Sequence, residues 1–162
     1  MAKTTISMLN KSPVSLVLIV FSAVTSLTLL LPSQTSAISS GFYAEATTGQ
    51  VRGRLALNRN ARTVSCSAVT RFSSSGSKPS SIIQLLQFEQ KSGGEWHVDQ
   101  YLPYDVQEAP PSVTQPNKIK NSTSAPVNIN KLALEAKNKN LRLACYTGST
   151  AAYMAIKPSL FK

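Results

Sequence analysis

The stretch Asn140–Lys157, NLRLACYTGSTAAYMAIK, decides the fold. Leu141, Leu143 and Cys145 alternate with Arg142, Ala144 and Tyr146. After the turn-like TGST, Ala152, Met154 and Ile156 alternate with Tyr153, Ala155 and Lys157. Successive side chains of a strand point to opposite faces. Period two on both sides of a Gly-containing turn therefore predicts a β-hairpin with one buried face. Cys145 falls on that buried face. The other cysteine of the chain is Cys66, in the similarly alternating run TVSCSAVTRF. In an exported chain two cysteines most simply form one disulfide, so a Cys66–Cys145 bridge is the expected long-range constraint.

The N-terminus argues for export. Lys3 and Lys11 precede an uncharged run, Val14–Leu31 (VSLVLIVFSAVTSLTLLL). Thr35 and Ala37 then supply small residues at the positions a signal peptidase reads. This order of basic, apolar and small-residue regions resembles a secretory signal peptide, with cleavage after Ala37. An uncleaved anchor is the rival reading, since about 20 apolar residues span a bilayer, but Ser and Thr dilute this run. No cysteine near the cleavage site allows lipid attachment, and no Arg pair marks twin-arginine export. The mature chain, residues 38–162, is expected to be a single secreted, periplasmic or cell-surface domain with no membrane span.

Within that domain, Ile38–Gln50 reads as a loose polar lead-in. Val51–Leu57 and Arg62–Phe72 read as two strands, and Ile82–Gln90 with Glu95–Leu102 as a hairpin around KSGG. Prolines 103, 110, 111 and 116 crowd the 103–121 segment, which is expected to be a long Pro-rich loop with no regular element. Val127–Ala136 fits two patterns. Leu132, Leu134 and Ala136 alternate as a strand would, while Ile129, Leu132, Ala133 and Ala136 fit a short helix. A direct antiparallel return into Leu141 favours the strand.

About seven short strands joined by polar turns predict an all-β, two-sheet antiparallel sandwich with the disulfide joining the sheets from the second strand to the sixth. That layout is similar to the immunoglobulin sandwich. Leu143 stands where a tyrosine corner would fall, and Trp96 lies far from the usual distance after the first cysteine, so the resemblance is one of layout alone.

Motifs for chemistry are sparse. His97 is the sole histidine, and Glu95 and Asp99 flank it at two-residue spacing. On one strand the three would project together about 6–7 Å apart, a row able to hold a divalent ion weakly or act as acid and base. A small secreted hydrolase centred on His97 is thus the alternative function. It lacks a second converging element, as well as a Gly-rich phosphate loop, a GxSxG or paired metal-ligand spacing. No cofactor or metal is expected.

Charge is the stronger signal. The chain carries a formal net charge of +10, of which Lys3 and Lys11 belong to the leader. Ala46–Leu86 holds Arg52, Arg54, Arg59, Arg62, Arg71 and Lys78 with no acid; Gln87–Glu108 is acidic; the remainder is basic again. Arg52 and Arg54 share a strand face, and Arg62 follows the next turn, so the three guanidinium groups are expected to converge as an anion-binding patch. Arginine suits bidentate contact with carboxylate, sulfate or phosphate. The expected role is a binding or structural module facing anionic polysaccharide, an anionic surface or an acidic protein. Nucleic acid is disfavoured by the compartment and by aromatics that do not interleave with the arginines.

Overall fold

A computed structural model describes residues 37–46, 49–73 and 78–162. The leader and its cleavage site up to Ser36 lie outside the described residues. So does part of the Ser/Gly-rich loop, residues 74–77.

The hairpin read from Asn140–Lys157 is present as β8 (Leu141–Thr147) and β9 (Thr150–Ile156). Thr147 pairs with Thr150, leaving a two-residue loop in which Gly148 takes φ 57°. Such tight hairpin loops need positive φ, which glycine adopts without a Cβ clash. Leu141, Leu143, Cys145, Ala152, Met154 and Ile156 are buried, as the alternation predicts.

The other strands are β1 (Ala37–Ala46), β2 (Gly49–Asn58), β3 (Thr63–Arg71), β4 (Ile82–Ser92), β5 (Glu95–Val98), β6 (Asp105–Ala109) and β7 (Lys118–Pro126). They form two antiparallel sheets. One has the order β1-β2-β3-β7. In the other, β4 pairs with β8 along one edge and with β5 and β6 in turn along the opposite edge, while β9 lies beyond β8. The inner faces meet in a main core and a smaller cluster of Phe72, Ile82, Ala109 and Ile119. Leu55, Leu57, Val64 and Cys66 come from the first sheet, and Leu86, Phe88, Leu143 and Cys145 from the second. The Cys66–Cys145 disulfide joins β3 to β8 across a sequence separation of 79 residues.

Four expectations are corrected. Residues 38–50 are not a loose lead-in, because β1 runs in unbroken register from Ala37 against Asn58 to Ala46 against Gly49. Ile38 and Phe42 pack on the core from this strand. Serine, glycine and alanine dilute its alternation. Phe42 lies over Gly53, where an added Cβ would fall 2.2 Å from its Cζ. The 103–121 segment is not a continuous loop. Its prolines flank β6 and precede β7 without interrupting either, as expected where ladder N–H groups are needed.

Residues 129–138 form a helix, α1 (Ile129–Asn138), and not a strand. The Asn128 side chain caps it by accepting from the Lys131 amide at 3.1 Å. Leu132 and Ala136 then face the core, while Leu134, required inside by the strand reading, is 57% exposed. Its Leu, Ala, Glu and Lys residues also favour helix intrinsically. With β1, β6 and β7 gained and the 127–136 strand lost to the helix, the described residues hold nine strands where about seven were expected, and the disulfide joins the third to the eighth.

A buried polar seam links the sheets at one end. Gln84, fully buried on β4, donates to Thr147 Oγ1 at 2.9 Å and accepts from the Thr123 amide and hydroxyl at 3.1 and 3.0 Å. Gln84→Leu leaves those groups buried and short of a partner, a loss of about 2–3 kcal/mol. Urea unfolding of the variant measures it; a change under about 0.5 kcal/mol would mean that the seam contributes nothing. Among the described residues, no helix is long and apolar enough to cross a membrane.

Candidate functional site

Alternation along β2, β3 and β7 builds one basic surface. The inner residues of β3 (Val64, Cys66, Ala68 and Thr70) are buried, so Val69 and Arg71 point outward. The paired registers give the cross-sheet rows Arg52–Val69–Lys120, Arg54–Ser67–Ser122 and Gln50–Arg71–Lys118, with the β3 residue in the middle of each. Arg52, Arg54, Arg71, Lys118 and Lys120 therefore share the outer face of the first sheet, among short serines. None of these five is ion-paired among the described residues. A hollow of about 180 Å³ opens between the rows, lined by Gln50, Arg52, Val69, Arg71 and Lys118.

Two neighbours on β1 shape this face. The Arg52 guanidinium lies 5.1 Å from the centroid of the Tyr43 ring, a cation–π contact that holds its direction. Tyr43 in turn donates to Glu45 Oε1 at 2.9 Å, and that hydrogen bond raises the phenol pKa above its ordinary value. Glu45 pairs with Gln50, which puts one carboxylate at the rim of the hollow. Arg54 donates to the Ser39 hydroxyl.

Arg62 does not join Arg52 and Arg54. It sits in the β2–β3 turn with φ 52°, and its carbonyl accepts from the Val127 amide at 2.8 Å. That turn caps the far end of the hairpin, four residues along β2 from Arg54, about 13 Å at strand rise. Arg62 lines a separate cavity of about 650 Å³ with Arg59, Pro126, Val127 and Asn128. In its place the sheet brings in Arg71, Lys118 and Lys120. The signal for the lysines was present in KIKNSTSAP, where Lys118, Lys120, Ser122 and Ser124 alternate with Ile119, Asn121, Thr123 and Ala125.

The Glu95–His97–Asp99 row does not converge. Glu95 and His97 are exposed on β5, but the strand ends at Val98 and Asp99 turns inward to 2% exposure. There Asp99 pairs with Lys139 at 3.1 Å and accepts from the Tyr101 amide at 2.9 Å. The Lys139 ammonium is held above its ordinary pKa by Glu135 and Asp99. No three His, Cys, Asp or Glu side chains among the described residues are placed to hold a metal ion.

The outer face of the second sheet carries a layer that local sequence patterns did not reveal. The Arg142 guanidinium is stacked between Trp96 and Tyr153, 4.1 and 3.7 Å from their centroids. Its Nε donates to Glu89 Oε2 at 2.6 Å, while Gln87 and Tyr146 donate to Glu89 Oε1. Burial alone would raise the Glu89 pKa; the donors Tyr146, Gln87 and Arg142 outweigh it and hold the carboxyl below its usual range. Burial and the Glu89 carboxylate push the Tyr146 phenol up. Both Glu89 oxygens are thus engaged within the layer. This layer covers the sheet and holds it together. No family model, no curated protein and no solved structure matches the chain.

Proposed function

We propose that the mature chain is an exported β-sandwich module, immunoglobulin-like in layout, that binds anionic polymers or an acidic surface through the outer face of β1, β2, β3 and β7. One observation carries this reading: Arg52, Arg54, Arg71, Lys118 and Lys120 crowd a single sheet face on which no described ion pair neutralises them. Like charges held this close repel one another and weaken the isolated fold slightly, so their grouping favours an anionic ligand that relieves the repulsion. The leader and the disulfide support a secreted, periplasmic or cell-surface location. The hydrolase reading draws no support from the geometry around His97, because Asp99 is engaged by Lys139.

The test separates a face from net charge. Arg52→Gln/Arg71→Gln/Lys118→Gln removes the same charge as Lys91→Gln/Lys137→Gln/Lys157→Gln, whose lysines are exposed elsewhere. On a sulfated polymer column the first variant should elute at clearly lower salt, with affinity reduced roughly 10–100-fold. That range follows from the loss of three charge-assisted contacts, each discounted for solvent screening. The second variant should stay within about threefold of the parent chain. Coincident elution of the two variants would overturn the proposal.

A further inference from the structure

We propose that the hollow between Arg52, Arg71 and Lys118 is a subsite for one tetrahedral oxyanion, a sulfate or phosphate monoester on a polysaccharide; this rests on the basic-face reading above. Its cations come from three adjacent strands. Arg71 and Lys118 are direct cross-strand neighbours, and Arg52 stands in the next row of the same face, diagonal to Arg71 at about 7–8 Å and one strand further from Lys118. Val69, opposite Arg52 in its row, and Gln50, opposite Arg71 in the other, complete the lining with an apolar side chain and a neutral amide. Three positive groups thus surround one concavity whose lining contains no acid.

The geometry selects among anions. A carboxylate is planar, carries one charge and offers two oxygens, which a single arginine fork satisfies. It would leave the other two cations unanswered. A phosphate monoester carries roughly −1.5 to −2 charges, and its three free oxygens allow one per cation. A sulfate monoester carries a single charge, like a carboxylate, but has the tetrahedral set of three free oxygens that lets each cation meet its own. The size agrees: about 180 Å³ is the share of roughly six liquid waters. That is room for an ester group and some of its hydration, with the sugar lying outside on the sheet. Arg54 and Lys120 extend the positive track beyond the hollow for further esters of the chain. A lipid headgroup is the poorer fit. Among the described residues, large exposed apolar side chains such as Ile83, Val98, Val106 and Tyr153 lie on the second sheet, and Tyr43 is the one beside the basic rows, which gives this face little apolar surface to bury in a bilayer.

Calorimetric titration at physiological ionic strength tests the assignment. The probes are dextran sulfate, dextran phosphate and carboxymethyl dextran, matched in charge per sugar. Both ester polymers should bind about tenfold more tightly than the carboxymethyl polymer, as expected when each added oxygen meets its own cation. Arg71→Gln or Lys118→Gln should bring ester affinity down to the carboxymethyl level. Arg54→Gln, outside the hollow, should weaken all three polymers alike. Glu45→Gln, which removes the rim carboxylate, should tighten ester binding. Equal binding of ester and carboxymethyl polymers overturns the oxyanion subsite and leaves the basic face standing. Failure of all three to bind overturns the basic face itself. Tighter binding to vesicles of phosphatidylcholine with phosphatidic acid than to either ester polymer overturns the polysaccharide assignment in favour of a membrane.

Discussion

Replacing Cys66 and Cys145 together by alanine is expected to lower the unfolding free energy by about 4 kcal/mol, within the 2–5 typical for a native disulfide. The bridge closes a separation of 79 residues and so removes much of the conformational freedom of the unfolded chain. The chain-entropy treatment gives roughly 4.5 kcal/mol for a loop of this length. Packing adds to this. Cys66 pairs in register with Leu55, Cys145 with Leu86, and both cysteines are buried where the sheets meet, so alanine leaves a void as well. Domains of this kind have about 5–15 kcal/mol in all, so the loss is a large share. Urea denaturation of parent and variant measures it directly. The denaturant slope should rise as well, since an uncrosslinked unfolded chain exposes more surface. A loss below about 1 kcal/mol would show that the sheets hold each other without the bridge.

How much of this could be read from the sequence depended on how purely each element alternates. β8 and β9 keep period two, and although Ile83 and Gln84 blur the alternation of β4, the Gly-Gly turn between β4 and β5 marks the second hairpin, so both are legible. The disulfide is legible from a cysteine count of two. β1 is obscured by Ser39, Ser40 and Gly41, which sit where a stronger pattern would have apolar or charged residues. β6 and β7 are hidden by the prolines around them, whose positions outside the ladders matter more than their number. That error also kept Lys118 and Lys120 off any strand face. The missing lysines, together with an arginine grouped by nearness in sequence, turned a sheet-wide surface into an expected Arg52–Arg54–Arg62 patch. Helix α1 was ambiguous because Leu132 and Ala136 satisfy both periods. Exposed Leu134 is the residue that separates them, and exposure is a tertiary property. The Glu89–Arg142 layer has no local signature at all, since its members come from β4, β5, β8 and β9 and meet only through cross-strand register.

The pair in that layer carries the second large effect. Glu89→Ala is expected to destabilise the chain by about 2–3 kcal/mol, somewhat below the 3–5 seen when a fully buried pair is broken. The discount follows from Arg142, whose side chain keeps 18% exposure and its stacking on Trp96 and Tyr153, so it is not wholly stranded. Tyr146→Phe removes one charge-assisted donor and should cost about 1–2 kcal/mol. The same carboxylate gives the fold an acid-sensitive component. Its pKa is lower in the folded chain than the ordinary 4.5, so folding favours the ionised form. The resulting stability is fully present above the unfolded value and is lost as pH falls through the folded one. Unfolding free energies of the parent chain should therefore decline below about pH 4.5. Glu89→Gln, which cannot ionise, should be less stable near neutrality and show a flatter decline over that acid range. An identical acid profile in parent and Glu89→Gln would mean that Glu89 contributes through shape and hydrogen bonds alone.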